Sequence, residues 1–150
     1  MRETVLRIGL AVLAIPAAIV GFWAAFAPRS FYDDFPGLGR TWVAPDGPYN
    51  QHLVRDVGEL NLAIVVITVI ALVTLVSVLV RAVLVGWLVY SVPHVIYHLR
   101  NTEPFSTDDQ VSIAASLALV PILAAVLLVI EVRAPRETPR DTPREAPVAR

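Results

Sequence analysis

The chain has no cysteine and no lysine, and only one methionine in 150 residues. Without cysteine there is no disulfide, no thiolate zinc or iron–sulfur centre, no CxxC redox chemistry and no c-type haem attachment. Any redox role would have to use a bound cofactor or metal. All twelve basic residues are therefore arginine, set against thirteen acids for a net charge of −1. That balance expects no nucleic-acid partner. Long polar stretches are scarce as well. Hydrophobic residues make up 56% of the chain and the mean hydropathy is +0.65, too apolar for an ordinary soluble domain.

What is present is a series of apolar runs of membrane length. About 20 helical residues cross the hydrocarbon core, and four such runs are expected, at about 5–26, 54–75, 78–99 and 111–130. The fold class is thus an all-α integral membrane four-helix bundle, a domain of residues 1–131. The first run ends Ala25-Phe26-Ala27, like a signal-peptidase site, but it exceeds the usual length of a signal's apolar core, so a retained helix is expected. Between the second and third runs only length argues for a reversal. A single helix of 40 residues would be about 60 Å long, twice the hydrocarbon thickness. The turn is placed near Val76-Ser77, with Ser77 as the N-cap. Ser106 or Thr107 caps the fourth helix, with Asp108 and Asp109 in its first turn.

Ala27–Gln51 is a long connection rich in aromatics (Phe31, Tyr32, Phe35, Trp42, Tyr49) and in proline (Pro28, Pro36, Pro45, Pro48). It reads as a structured outer loop. Ser30 and Asp33 resemble a capping box for one short helical turn over Phe31–Phe35. At the other end of the chain, residues 132–150 carry a Pro-Arg-acid repeat at period four, with no apolar face to bury, and are expected to be a disordered tail. Arginines concentrate at the N-terminus, at Arg81 and in the tail, which by the positive-inside rule puts both termini on the cytoplasmic side of a bacterial inner membrane.

The chemistry-bearing residues fall in two stretches. His94 and His98 lie one helical turn apart at the end of the third run, and Trp87, Tyr90 and Ser91 continue their stripe inward, with Tyr97 beside it. His52, Asp56 and Glu59 share one face at the start of the second run, beside Arg55. If the second and third runs are antiparallel neighbours, the two stretches meet as an outward-facing polar cluster. Three readings stand side by side. His94, His98 and Glu59 offer donors to a divalent metal such as zinc, manganese or iron. The same groups form a self-satisfied polar network. Or they edge a pocket between helices for a quinone, a lipid or another amphiphile.

The sequence VGELNLAI at 57–64, opening the second run, and a third run ending in His94 and His98 resemble the DoxX-like family of small four-span bacterial membrane proteins. The resemblance implies a small subunit of a membrane redox complex, linked to quinone-dependent oxidation of sulfur compounds, with Glu59 and the histidines as the positions to watch. The long aromatic loop departs from that family's compact pattern, and the missing cysteines argue against a thiol-based role. The expectation is an accessory or ligand-binding subunit rather than an independent enzyme. Its partners would be the bilayer and a membrane protein or a second copy of itself, and the alternative is a redox subunit handling a quinone or a metal ion.

Overall fold

A computed structural model describes residues 1–133; the expected tail lies outside them, apart from Val132, which ends the last helix, and Arg133. Five α-helices form: α1 (Arg2–Phe26), the short α2 (Pro28–Asp34), α3 (Gln51–Thr74), α4 (Ser77–Arg100) and α5 (Thr107–Val132). Four of them, α1, α3, α4 and α5, are long and apolar enough to cross a membrane. Their outward faces are greasy. Ile8, Ile15 and Ile19 on α1 and Ile67, Ile70 and Val73 on α3 are all exposed.

Long-range contacts fix the directions of the helices. Arg7 near the start of α1 donates to the carbonyls of Leu72 and Val73 at the end of α3, while Gly58 near the start of α3 lies against Ala24 and Ala25 at the end of α1. The two helices are antiparallel. A Cβ on Gly58 would stand 2.4 Å from the Ala25 nitrogen, so only glycine permits this approach. In the same way Glu131 at the end of α5 meets Arg2 and Arg81, at the starts of α1 and α4. The packing is closest within the α1–α3 and α4–α5 pairs, and looser across α1–α5 and α3–α4.

The reversal between α3 and α4 takes two residues. Leu75 adopts the left-handed conformation (φ 50°) and its N–H closes on the Ala71 carbonyl; Val76 is extended and precedes α4. The turn sits where length demanded it, but Val76 occupies the N-cap position and Ser77 is already helical. Asn50 caps α3 by accepting from the Leu53 N–H (3.1 Å), and Ser106 caps α5 by accepting from the Asp109 N–H (3.2 Å). Each cap satisfies a donor that the helix itself leaves open.

The hydrophobic core occupies the half of the molecule near the α3–α4 turn. Leu6, Leu10, Leu13, Val80, Val83, Leu84, Ala124 and Leu127 are almost completely buried there. This end is sealed by charge. Glu131, 1% exposed, pairs with Arg2, and its second carboxylate oxygen lies 3.8 Å from Arg81 Nε. One buried acid is held between two part-exposed arginines.

At the opposite end the connection from α1 to α3 forms a roof, here called the cap. Pro28 starts α2 at a position that needs no N–H, and the cap residue is Ala27, without a side-chain bond. The anticipated capping box does not form. Ser30 instead donates to Asp34 (3.0 Å) and accepts from Trp23 Nε1 (3.2 Å). A two-residue antiparallel ladder follows, β1 (Pro36–Gly37) with β2 (Arg40–Thr41), in the register Pro36–Thr41 and Gly37–Arg40. Its turn places Leu38 and Gly39 at positive φ.

Candidate functional site

Beneath the cap the helices do not close on one another. A cavity of about 630 Å³ remains between the α1–α3 and α4–α5 pairs, within the usual range for small-molecule sites. Apolar side chains from α1 (Val12, Pro16, Ala17, Val20) and α5 (Ile113, Leu117, Val120) form one wall. Val54, Val57 and Asn61 of α3 face Trp87, Tyr90, Ser91, His94 and His98 of α4, and the cap lowers Phe31, Phe35, Trp42 and Asp46 over the top.

Helical periodicity explains the α4 side. Residues 87, 91, 94 and 98 recur every three to four positions and so line one stripe, about 16 Å long at 1.5 Å per residue. Trp87 and Ser91 are buried, His94 and His98 half-buried. The rings form a ladder: Trp87 to Tyr90 6.3 Å, Tyr90 stacked on His94 at 5.5 Å, His94 edge-on to His98 at 4.8 Å, and His98 against Tyr97 at 5.3 Å. At the floor Trp87 Nε1 donates to Thr68 on α3 (3.0 Å), whose hydroxyl donates to the Ile64 carbonyl (2.7 Å). These two buried polar groups are satisfied, and they tie α3 to α4 at mid-length.

The roof is held in place by a few specific contacts. Trp23, Phe31, Phe35 and Trp42 meet edge-on or tilted at 4.8–6.2 Å, spacings favoured by aromatic quadrupoles. Arg40 and Trp42 both donate to Asp109 in the first turn of α5 (2.8 and 2.9 Å). Tyr97 donates to Asp46 (3.2 Å), and Tyr32 to the Gly47 carbonyl (2.7 Å). Arg29 lies over the rings of Tyr32 and Tyr49 and pairs with Asp33, which raises its already high pKa. Thus α4, α5 and α2 each anchor one part of the roof.

Of the residues singled out in the sequence, Trp87, Tyr90, His94 and His98 are brought together in the lining, and Tyr97 touches its rim through Asp46. The α3 set does not join them. His52, Arg55 and Glu59 are exposed, and on that face His52 pairs with Asp56 at 3.4 Å. Among the described residues Arg55 forms no ion pair. The expected ligand set of His94, His98 and Glu59 is also not assembled: among the described residues no three His, Asp or Glu side chains are placed to share a metal ion.

The cause is the rotation of α3. Gly58 must face α1, and at about 100° per residue Arg55, His52, Glu59 and Asp56 then point about 60–160° away from it on one side, whereas Val54, Val57 and Asn61 point the other way, into the cavity. The acid that reaches the cavity is Asp46 of the cap, and sequence reasoning missed it. So were Asn61, the packing role of Gly58 and the burial of Glu131. For Gly58 a signal existed in the small-residue face Gly21, Ala24, Ala25 of α1, the kind of surface that lets helices approach closely.

The chain matches no family model, no curated protein and no solved structure. The arrangement must therefore be read on its chemistry.

Proposed function

We propose that the chain is a four-span inner-membrane protein with both termini cytoplasmic, serving as an accessory or binding subunit that holds a small, largely apolar ligand in the cavity beneath its outward-facing cap. One observation carries this reading: a cavity of about 630 Å³, apolar on most of its walls and fitted with a few convergent polar groups, lies between helices whose outer faces are themselves apolar. A soluble protein rarely exposes apolar surface on this scale. The clustering of Arg2, Arg7 and Arg81 at the end opposite the cap supports the orientation. The DoxX-like resemblance adds a redox-linked version, with a quinone beside His94 and His98. In that version Glu59 has no part in the lining.

The test is extraction in a mild detergent followed by mass spectrometry of what travels with the protein. A small molecule is expected with the unmutated chain and is depleted in Leu117→Trp, which pushes an indole ring from the α5 wall into the cavity while leaving the roof contacts alone. A Leu117→Trp variant that retains the same molecule overturns the assignment to this cavity. A reporter fused to the C-terminus is expected on the cytoplasmic side, and an external signal reverses the topology.

A further inference from the structure

The lining also says which polar end the ligand carries. Among the described residues no arginine lines the cavity, and Asp46 is the one formally charged side chain that does. Asp46 accepts a hydrogen bond from Tyr97 and, among the described residues, has no cationic partner. Several donors of the lining are spent on the protein itself. Trp42 Nε1 donates to Asp109, Trp87 Nε1 to Thr68, Ser91 to the Trp87 carbonyl (2.6 Å), Asn61 to the Val57 carbonyl (2.9 Å) and Ser116 to the Ile113 carbonyl (3.0 Å). What is left over includes the acceptors an ammonium needs, namely the carboxylate of Asp46, the lone pairs of Ser91 and Asn61 and one nitrogen of each neutral imidazole, beside the Tyr90 O–H and one N–H of each imidazole as neutral donors. His98 Nδ1 is buried and has no hydrogen-bond partner at all.

An anionic head group would enter this space with a carboxylate to repel it and only the neutral donors of Tyr90 and the imidazoles to meet it, which do not replace a counter-charge. A group that donates hydrogen bonds and carries positive charge meets the opposite. Asp46 supplies the counter-charge, and the lining brings the rings of Phe31, Phe35, Trp42 and Tyr90 into the same space, where a cation is attracted to an aromatic face. Resting on the cavity reading above, we propose that the ligand is an amphiphilic amine, bound as the ammonium with its charge beside Asp46 and its apolar body between α1, α4 and α5.

The experiment uses the full chain in nanodiscs of phosphatidylcholine, a lipid without net charge, with empty discs as the reference. Three probes share one apolar body: 2-naphthylmethylamine, 2-naphthylmethanol and 2-naphthoate, titrated at neutral pH by calorimetry. The amine is expected to bind about fivefold more tightly than the alcohol, a preference of the size that one part-exposed charge pair gives, and the naphthoate more weakly than either. In Asp46→Asn, which still accepts from Tyr97, the amine is expected to fall to the affinity of the alcohol, and the alcohol to be unchanged. Tyr97→Phe keeps the carboxylate and is expected to keep the preference for the amine. Equal binding of amine and alcohol, tighter binding of the naphthoate, or an amine affinity indifferent to Asp46→Asn overturns the assignment of the ligand class while the cavity reading stands. No binding of any of the three overturns both.

Discussion

The two halves of the molecule solve opposite problems with the same four helices. Near the α3–α4 turn, leucine, valine and alanine fill the space between the helices and an acid is buried between two arginines. Toward the cap, the same helices enclose a space lined by aromatic rings, a few polar groups and one acid, Asp46. The difference teaches where stability and binding are separately encoded. Opposite charges fix helix positions, as Glu131 does for α1, α4 and α5 even though its second oxygen and Arg81 Nε make no hydrogen bond, whereas the cap half places an acid and unspent polar groups around open space.

Breaking the packed half has the largest expected effect. Glu131→Ala removes the carboxylate that neutralises Arg2 and Arg81, and is expected to cost about 3 kcal/mol, at the low end of the range for a broken buried pair because both arginines reach solvent. Thermal unfolding in detergent measures it. A melting temperature equal to that of the unmutated protein would show that the charge seal contributes nothing. Next comes Gly58→Val, which drives a branched side chain into the backbone of Ala24 and Ala25 and is expected to cost about 2 kcal/mol through overpacking. Its ligand affinity should fall too, because Val54, Val57 and Asn61 turn with the same helix.

A gentler test loosens only the roof. Asp109→Ala removes the acceptor of both Arg40 and Trp42, and hydrogen exchange of the amides over residues 31–46 is expected to quicken while α3 and α4 keep their protection. If exchange quickens equally everywhere, the two halves are not independent. The smallest effect is expected from Arg29→Ala. Its pair with Asp33 and its place over the rings of Tyr32 and Tyr49 are at the surface, where such contacts contribute at most about 1 kcal/mol, so a slight fall in melting temperature and no change in ligand affinity are expected.

The four long helices were legible because each is a run of apolar residues that only a helix of membrane length accounts for, and even the reversal at Leu75-Val76, which lacks glycine and proline, was located by length alone. The α4 side of the site was legible for a related reason, since a 3.6-residue period puts Trp87, Ser91, His94 and His98 on one stripe wherever the helix goes. Its partners were not legible. They depend on which face of α3 turns inward, and that is decided by the close approach of Gly58 to α1, a contact between residues more than thirty positions apart. Glu131 was hidden more deeply. It reads as the charge that ends a span, and it is buried only because Arg2 and Arg81 lie beside it, 129 and 50 residues earlier.

The spread of the lining along the chain carries a consequence for biosynthesis. It begins at Val12 and finishes at Val120, drawing on every long helix and on the cap. A nascent chain that has completed α1, the cap, α3 and α4 still lacks the wall made by Ile113, Leu117 and Val120. The cavity is therefore complete only when α5 docks, and any molecule that binds the finished cavity favours that assembly over every earlier one.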